Sequence, residues 1–324
     1  MSSFIEFKRV QKKYGEKYAI KELNLSITKG EIFVLVGPSG SGKTTSLKMI
    51  NGLFQPSAGE VLFKGKSLTE YNLQKMRWNM GYVLQQIALF PNMTVKQNIE
   101  VIPEMLGWER KKREHAADQL LEKVGLDPAS YRNRMPQELS GGEQQRVGIV
   151  RALVANPEVI LMDEPFSALD PLSRTSLQEL VLSLHQELGM TIVFVTHHMN
   201  EAIKLGDKIA VMKEGKLVQC DRPEQLLAHP KNEFVHSFFD DTRQAYQETV
   251  KEIIMANCYS KVQQRSNQPN VHLNTPLQEV YEILIKHAAV NVQENEKVMG
   301  KITREDIFIF LTRSKMKKKN IKNK

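Results

Sequence analysis

Over the first part of the chain, apolar residues come in short runs separated by turn residues. Phe4–Val10, Glu22–Ile27 and Glu31–Val36 read as strands. The third holds the continuous run Ile32-Phe33-Val34-Leu35-Val36, the pattern of a strand buried on both faces. A glycine-rich loop follows, then a helix from about Gly42 to Leu53, with Leu47, Ile50 and Leu53 at helical spacing. Pro56 and Gly59 then break the chain before a hairpin-like pair near Val61-Leu62-Phe63.

From Thr94 to Gln137 the pattern turns helical and charged, centred on Glu109-Arg110-Lys111-Lys112-Arg113-Glu114, which predicts an inserted helical subdomain over about 94–140. Strand and helix alternate after it. Val159–Met162, Thr191–Thr196 and Lys208–Met212 read as strands, Leu172–Leu188 and His198–Leu205 as helices, and Glu214-Gly215 as a hairpin turn. Alternation of this kind implies an α/β fold, a mixed but mostly parallel sheet with helices on both faces. Near Asp240 the character changes to a polar, helix-prone segment. A small α+β pattern follows: Val271–Leu273, a helix over Leu277–His287, the strand pair Val290–Gln293 and Val298–Ile302, and a helix over Arg304–Leu311. The expected organisation is a first domain over 1–239, a second over 240–312 and a basic tail over 313–324.

Composition adjusts this picture little. The 324 residues are 41% hydrophobic, enough for two cores. The most apolar stretch, Val147–Met162, is interrupted by Arg151, Asn156, Pro157 and Glu158, so no membrane span is expected. The N-terminus carries charge where a signal peptide is apolar. Cys220 and Cys258 lie far apart without metal-like spacing, which fits a reducing compartment. The net charge is +8, and the tail Ser314–Lys324 holds six lysines and no acid. It reads as a solvated end or as a contact for acidic lipid headgroups.

Gly37-Pro38-Ser39-Gly40-Ser41-Gly42-Lys43-Thr44 matches the phosphate-loop pattern, between a predicted strand and a predicted helix. Its glycines let backbone N–H groups close around phosphate oxygens, and the helix N-terminus adds positive charge. Lys43 is placed for the β and γ phosphates and the Thr44 hydroxyl for Mg²⁺; Thr45, next on the helix, joins the nucleotide-binding set. Further on, the apolar strand Val159-Ile160-Leu161-Met162 ends in Asp163-Glu164. Asp163 at the strand tip suits Mg²⁺, held through water, and Glu164 suits the orientation and deprotonation of an attacking water.

Between these two lies Leu139-Ser140-Gly141-Gly142-Glu143-Gln144-Gln145-Arg146. It resembles the signature sequence of the ATP-binding cassette (ABC) ATPases, a P-loop NTPase family. The resemblance covers roughly residues 4 to 235 and implies further roles. Tyr14 matches the aromatic that stacks on adenine, Gln85 the glutamine that touches Mg²⁺ and water, Ser167-Ala168-Leu169-Asp170 the loop that crosses the dimer interface, and His197 the switch histidine. The implied cofactors are ATP and Mg²⁺. The implied assembly is a head-to-tail homodimer in which Ser140, Gly141 and Gly142 cap the partner's nucleotide.

One cassette without a membrane span is similar to importers, which keep the permease on a separate polypeptide. The run Leu89-Phe90-Pro91-Asn92-Met93-Thr94-Val95 looks like the region by which importer cassettes grip a membrane subunit, with Leu89, Phe90 and Met93 lining the groove. Gly300-Lys301-Ile302-Thr303-Arg304-Glu305-Asp306 is similar to a segment of cystathionine-β-synthase-type (CBS) regulatory domains, in which Thr303 and Asp306 would meet a nucleotide. Only one such repeat is found, and Val290-Asn291-Val292-Gln293-Glu294 departs from the usual wording. An adenine or cyclic dinucleotide is therefore one expectation, a degenerate dimerisation piece the other.

A cassette with this appendage resembles the ATPases of quaternary-amine importers for glycine betaine, carnitine, choline or related betaines. The resemblance implies a permease, a substrate-binding protein, and a peripheral place on the cytoplasmic face of a bacterial membrane. The alternatives are a cassette for another small solute or an efflux system, and a soluble cassette ATPase. The paired cassettes of translation factors and the coiled-coil insertion of repair enzymes are both missing, so no nucleic-acid partner is expected.

Overall fold

The computed structural model describes residues 3–240, 249–260, 268–294, 297–303, 305–307 and 309–310. They fall into two compact units, Met1–His236 and Ser237–Lys324. The basic tail, Arg304, Phe308 and Leu311 lie outside the described residues, as do two stretches of the polar segment that opens the second unit.

The first unit is built on a ten-stranded sheet. Its strands are β1 (Ile5–Tyr14), β2 (Lys17–Ile27), β3 (Ile32–Val36), β4 (Ala58–Phe63), β5 (Lys66–Ser67), β6 (Met80–Val83), β7 (Val159–Asp163), β8 (Thr191–Val195), β9 (Lys208–Lys213) and β10 (Lys216–Asp221). They lie in the order β5-β4-β1-β2-β10-β9-β3-β8-β7-β6. From β9 to β6 every pairing is parallel. Every residue of β3, β7 and β8 is buried, as expected for parallel strands covered on both faces. The other half makes the sheet mixed, as expected: β5, β4, β1 and β2 pair antiparallel. Short turns join β1 to β2 and β4 to β5, and only antiparallel strands can be joined that way.

Gly59 departs from the expectation. It lies inside β4 rather than ending the chain run before it. At φ +75° it sits where a Cβ would come 2.2 Å from the Arg9 carbonyl oxygen. The β1–β4 register shifts between Lys8 and Gln11 at this point, so Gly59 marks a bulge. The strand β6 was not foreseen either.

The core gathers Phe7, Phe33 and Leu35 of the sheet with Leu47 and Met49 of α1 (Lys43–Ile50). The helix α2 (Leu73–Arg77) precedes β6. The charged segment forms α3 (Val95–Met105), α4 (Arg110–Lys123) and α5 (Pro128–Tyr131), and α6 (Gly141–Leu153) follows. Thr94 caps α3, with Gln97 returning a hydrogen bond to the Thr94 N–H. Inside α3, the buried Asn98 amide donates to the carbonyls of Phe90, Met93 and Thr94 and accepts from the Phe90 N–H, which pins the run 89–95. The remaining helices that matter here are α7 (Pro171–Leu188) and α8 (Met199–Leu205).

The second unit holds β11 (Asn270–His272), β12 (Ala289–Glu294) and β13 (Lys297–Thr303), with β11 parallel and β13 antiparallel to the central β12. The helices Val250–Met255 and Leu277–Lys286 supply Val250, Ile253, Val280 and Leu284 to its own core beside Val290 and Ile302.

Candidate active site

Strand order decides what meets at the carboxyl edge of the parallel half. β8 lies between β3 and β7, so the loops leaving these three strands are neighbours. β3 runs into the phosphate loop, β7 ends at Asp163, and β8 runs into Thr196 and His197. β6, on the far side of β7, runs toward Gln85. The loops after β3, β7 and β8 border a cavity of about 630 Å³, lined by Ala19, the loop and helix residues Ser39 to Thr45, Glu164 and His197.

Gly37 makes the loop possible. At φ +151° its Cα passes so close to the chain that a Cβ would stand 2.1 Å from the Met212 carbonyl oxygen. Lys43 is 7% exposed, and its ammonium donates to the carbonyls of Gly37 at 2.7 Å and Pro38 at 2.9 Å. Burial pushes the Lys43 amine below its usual range, and the carboxylates of Glu164 and Asp163 work against that shift. Ser41 is buried in the same loop, its hydroxyl without a hydrogen-bond partner.

Thr44 Oγ1 donates to Asp163 Oδ1 at 2.9 Å, joining the start of α1 to the tip of β7. Burial pushes the Asp163 carboxyl up; the Thr44 hydrogen bond and the lysines at 48 and 43 pull it back. A hydroxyl, a carboxylate and the amide oxygen of Gln85 are hard oxygen donors, the kind Mg²⁺ takes. A cation there would also compensate the buried charge of Asp163, so these residues fit the expected metal.

Glu164 lies at φ +47°, left-handed backbone that a glutamate rarely adopts, with its N–H donating to the Val195 carbonyl at 3.0 Å. That twist turns its carboxylate from β7 toward the loops on either side. Glu164 Oε2 lies 3.0 Å from His197 Nδ1 and accepts from Gln85 Nε2 at 3.3 Å. Three of the expected residues, drawn from the ends of three strands, thus converge on one oxygen.

Other expected residues stand apart from this cavity. Tyr14 ends β1 at the tip of the hairpin whose other strand brings Ala19 to the cavity, half exposed and edge-on to Phe54 at 6.2 Å between centroids. Ser140 caps α6 and shares a capping box with Glu143, whose carboxyl is held below its usual range first by the Tyr131 hydroxyl and then by the Ser140 N–H. A Cβ on Gly141 would meet nothing within 4 Å, so the start of α6 stays bare. Ser140, Gly141 and Gly142 do not line the cavity of their own chain. Asp170 is exposed and accepts the Ser173 N–H at 3.0 Å at the start of α7.

In the second unit, Thr303 and Asp306 bond each other. Asp306 Oδ2 accepts the Thr303 hydroxyl at 2.7 Å and its N–H at 2.8 Å, a capping box before the helical residues 305–307.

A cavity of about 510 Å³ lies between β6, α3 and α6, lined by Tyr82, Leu84, Phe90, Ile102, Met105 and Arg151 among others. Phe90 lines it; Leu89 and Met93 do not. Apolar character alone did not reveal which side of the run faced the groove, because Asn98 fixes the turn from a distance.

Comparison with known proteins shows the family. The family described as ABC transporter matches residues 20–167. The chain is 43% identical over 302 residues to the osmoprotectant import ATP-binding protein OsmV of Salmonella typhimurium, covering 92% of this chain and 77% of that protein. It is 49% identical over 240 residues to the glycine betaine/carnitine/choline transport ATP-binding protein OpuCA of Bacillus subtilis, covering 74% of this chain and 63% of the relative, less than two thirds of its length. Among solved structures, the dimeric ATP-binding cassette MJ0796 bound to ADP and Pi shares 36% identity at a TM-score of 0.61, covering 68% of this chain and 98% of that one. No helix among the described residues is long and apolar enough to cross a membrane. The chain belongs to the ABC transporter family, whose ATPase cassettes bind ATP with Mg²⁺.

Proposed function

We propose that this chain is the ATP-hydrolysing subunit of an importer for a quaternary-amine compatible solute such as glycine betaine, carnitine or choline. The observation that carries the hydrolytic part is the convergence of His197 Nδ1 and Gln85 Nε2 on Glu164 Oε2, beside the phosphate loop. In this reading Glu164 orients and deprotonates water, His197 steadies the γ-phosphate end, and Gln85 completes the metal shell. Gly37, Pro38 and the residues from Ser39 to Thr45 hold the phosphates, and Tyr14 stacks on adenine. Bound Mg²⁺, held by Thr44, Asp163 and Gln85, would neutralise phosphate charge as it develops.

Ser140, Gly141 and Gly142 cap the nucleotide of a second copy, with Asp170 in the facing loop. Their absence from the cavity of their own chain supports this, as does the dimeric form of MJ0796. The substrate class is supported by the relatives, which are named for osmoprotectant, glycine betaine, carnitine and choline transport. The groove beside Phe90 is the seat of a membrane permease, which holds the chain at the cytoplasmic face of the membrane.

Phe90→Asp tests both links. Phe90 is 47% exposed on this groove, so a charge there should leave the fold and ATP hydrolysis in solution intact. Co-sedimentation with membranes and uptake of radiolabelled glycine betaine at high osmolarity should fall by at least about tenfold. Undiminished sedimentation would refute the docking face. Uptake of none of the quaternary amines by wild-type cells would refute the substrate class.

For the second unit, we propose a regulatory CBS-like module in which Thr303 and Asp306 contact an adenine or cyclic dinucleotide. Because these side chains now bond each other, the ligand must replace that bond. Titrating the full Lys43→Ala chain with AMP, ATP and cyclic di-AMP should release heat that Thr303→Ala removes. No heat at millimolar ligand would leave the dimerisation piece as the reading.

A further inference from the structure

We infer that Arg174 and Glu201 form a positioning relay that ties the loop after Glu164 to the loop carrying His197. The relay rests on the reading of Glu164 and His197 as hydrolytic residues, and adds what keeps them in register.

Arg174, in the first turn of α7, donates through Nη2 to the Leu169 carbonyl at 3.1 Å, inside the loop Ser167–Asp170. Its Nε faces Glu201 Oε1 at 3.8 Å. Glu201 is 5% exposed on α8 and accepts the Thr196 hydroxyl on its other oxygen at 2.6 Å. Thr196 Oγ1 in turn accepts the His198 N–H at 3.0 Å, which fixes the backbone beside His197. On the opposite side, Ser167 Oγ donates to the Glu164 carbonyl at 3.0 Å. The contacts close a ring through Glu164, Ser167, Leu169, Arg174, Glu201, Thr196 and His197, back to the Glu164 carboxylate.

A purely structural ion pair predicts a bonded contact and no interest in a loop carbonyl. Here Arg174 Nε and Glu201 Oε1 are both buried and neither has a hydrogen-bond partner. Their separation is about 1 Å beyond a charge-assisted hydrogen bond. A buried carboxylate oxygen facing a buried Nε, on an arginine whose side chain is 29% exposed, gains a hydrogen bond from closing that gap. Because the same guanidinium holds the Leu169 carbonyl, closing it couples the loop Ser167–Asp170 to α8 and His197. Arginine is the residue this needs, since its planar fork reaches Glu201 and Leu169 at once, whereas lysine offers one point charge.

The test uses the purified full chain, with steady-state ATP hydrolysis, fluorescent ATP-analogue binding and thermal melting measured together. Arg174→Lys keeps a cation near Glu201 but loses the second donor. Its melting temperature should stay within about 2 °C of wild type, and its nucleotide affinity within about twofold, while kcat falls by roughly tenfold or more. Glu201→Gln keeps an acceptor for Thr196 and should show the same split. The double variant should be no slower than the worse single variant, as for residues acting as one unit. Wild-type kcat in Arg174→Lys would overturn the relay. Wild-type turnover in Glu164→Gln, run alongside, would instead overturn the hydrolytic reading on which the relay stands.

Discussion

Glu164→Gln should lower ATP hydrolysis by roughly a hundredfold or more, the scale of losing a positioned general base, while ATP still binds. The amide matches the carboxylate in volume and still accepts one hydrogen bond, so the contacts with His197 Nδ1 and Gln85 Nε2 need only reorganise locally. What disappears is the group that, in the proposed function, takes the proton from water. If two chains close around ATP, loss of hydrolysis should trap them closed, and gel filtration with ATP should show a dimer that the wild-type chain forms only transiently. Phosphate release near the wild-type rate would remove Glu164 from the reaction. The left-handed backbone at Glu164 makes the variant a clean one, since glutamine tolerates that conformation no worse than glutamate.

How much of this was legible in the sequence depends on how local each feature is. The phosphate loop, the Asp163-Glu164 strand end and the signature at Ser140–Gly142 are contiguous runs, and their order alone identifies the fold. The buried run Ile32–Val36 was equally plain, because a parallel strand covered on both faces has no polar side. The strand Met80–Val83 was not, since four residues with a glycine among them carry no period. The bulge at Gly59 was hidden for another reason: a glycine read from sequence says only that the chain is permitted to turn, not that Arg9 lies against it.

The site shows the same limit. Residue types at Glu164, His197 and Gln85 were readable, but not that one carboxylate oxygen would receive both neighbours, which follows from β8 and β6 flanking β7. Arg174 and Glu201 offered no signal at all. Each is an ordinary charged residue on a helix, and only the packing of α7 against the start of α8 brings them together. Tyr14 is the reverse case. The motif pointed to it, while the structure places it at a half-exposed hairpin tip, edge-on to Phe54 and outside the lining of the cavity.

Lys43→Ala should act at an earlier step than Glu164→Gln. The Lys43 ammonium is buried at the loop and donates to the Gly37 and Pro38 carbonyls, so it is a strut of the loop and, in the proposed function, also the charge that meets the phosphates. A hydrogen bond to a charged group is worth about 1.5–3 kcal/mol, so its removal should weaken ATP binding by roughly 10- to 150-fold. A fluorescent ATP-analogue titration reads this directly, and hydrolysis at low ATP should fall in parallel. The two variants separate binding from chemistry when combined. If Lys43 acts on binding, Lys43→Ala placed in the Glu164→Gln chain should prevent the ATP-dependent dimer that Glu164→Gln alone accumulates at the same nucleotide concentration. If that dimer forms undiminished, the ammonium serves the loop and not the nucleotide, and the phosphates are held by backbone N–H groups and the N-terminus of α1 alone.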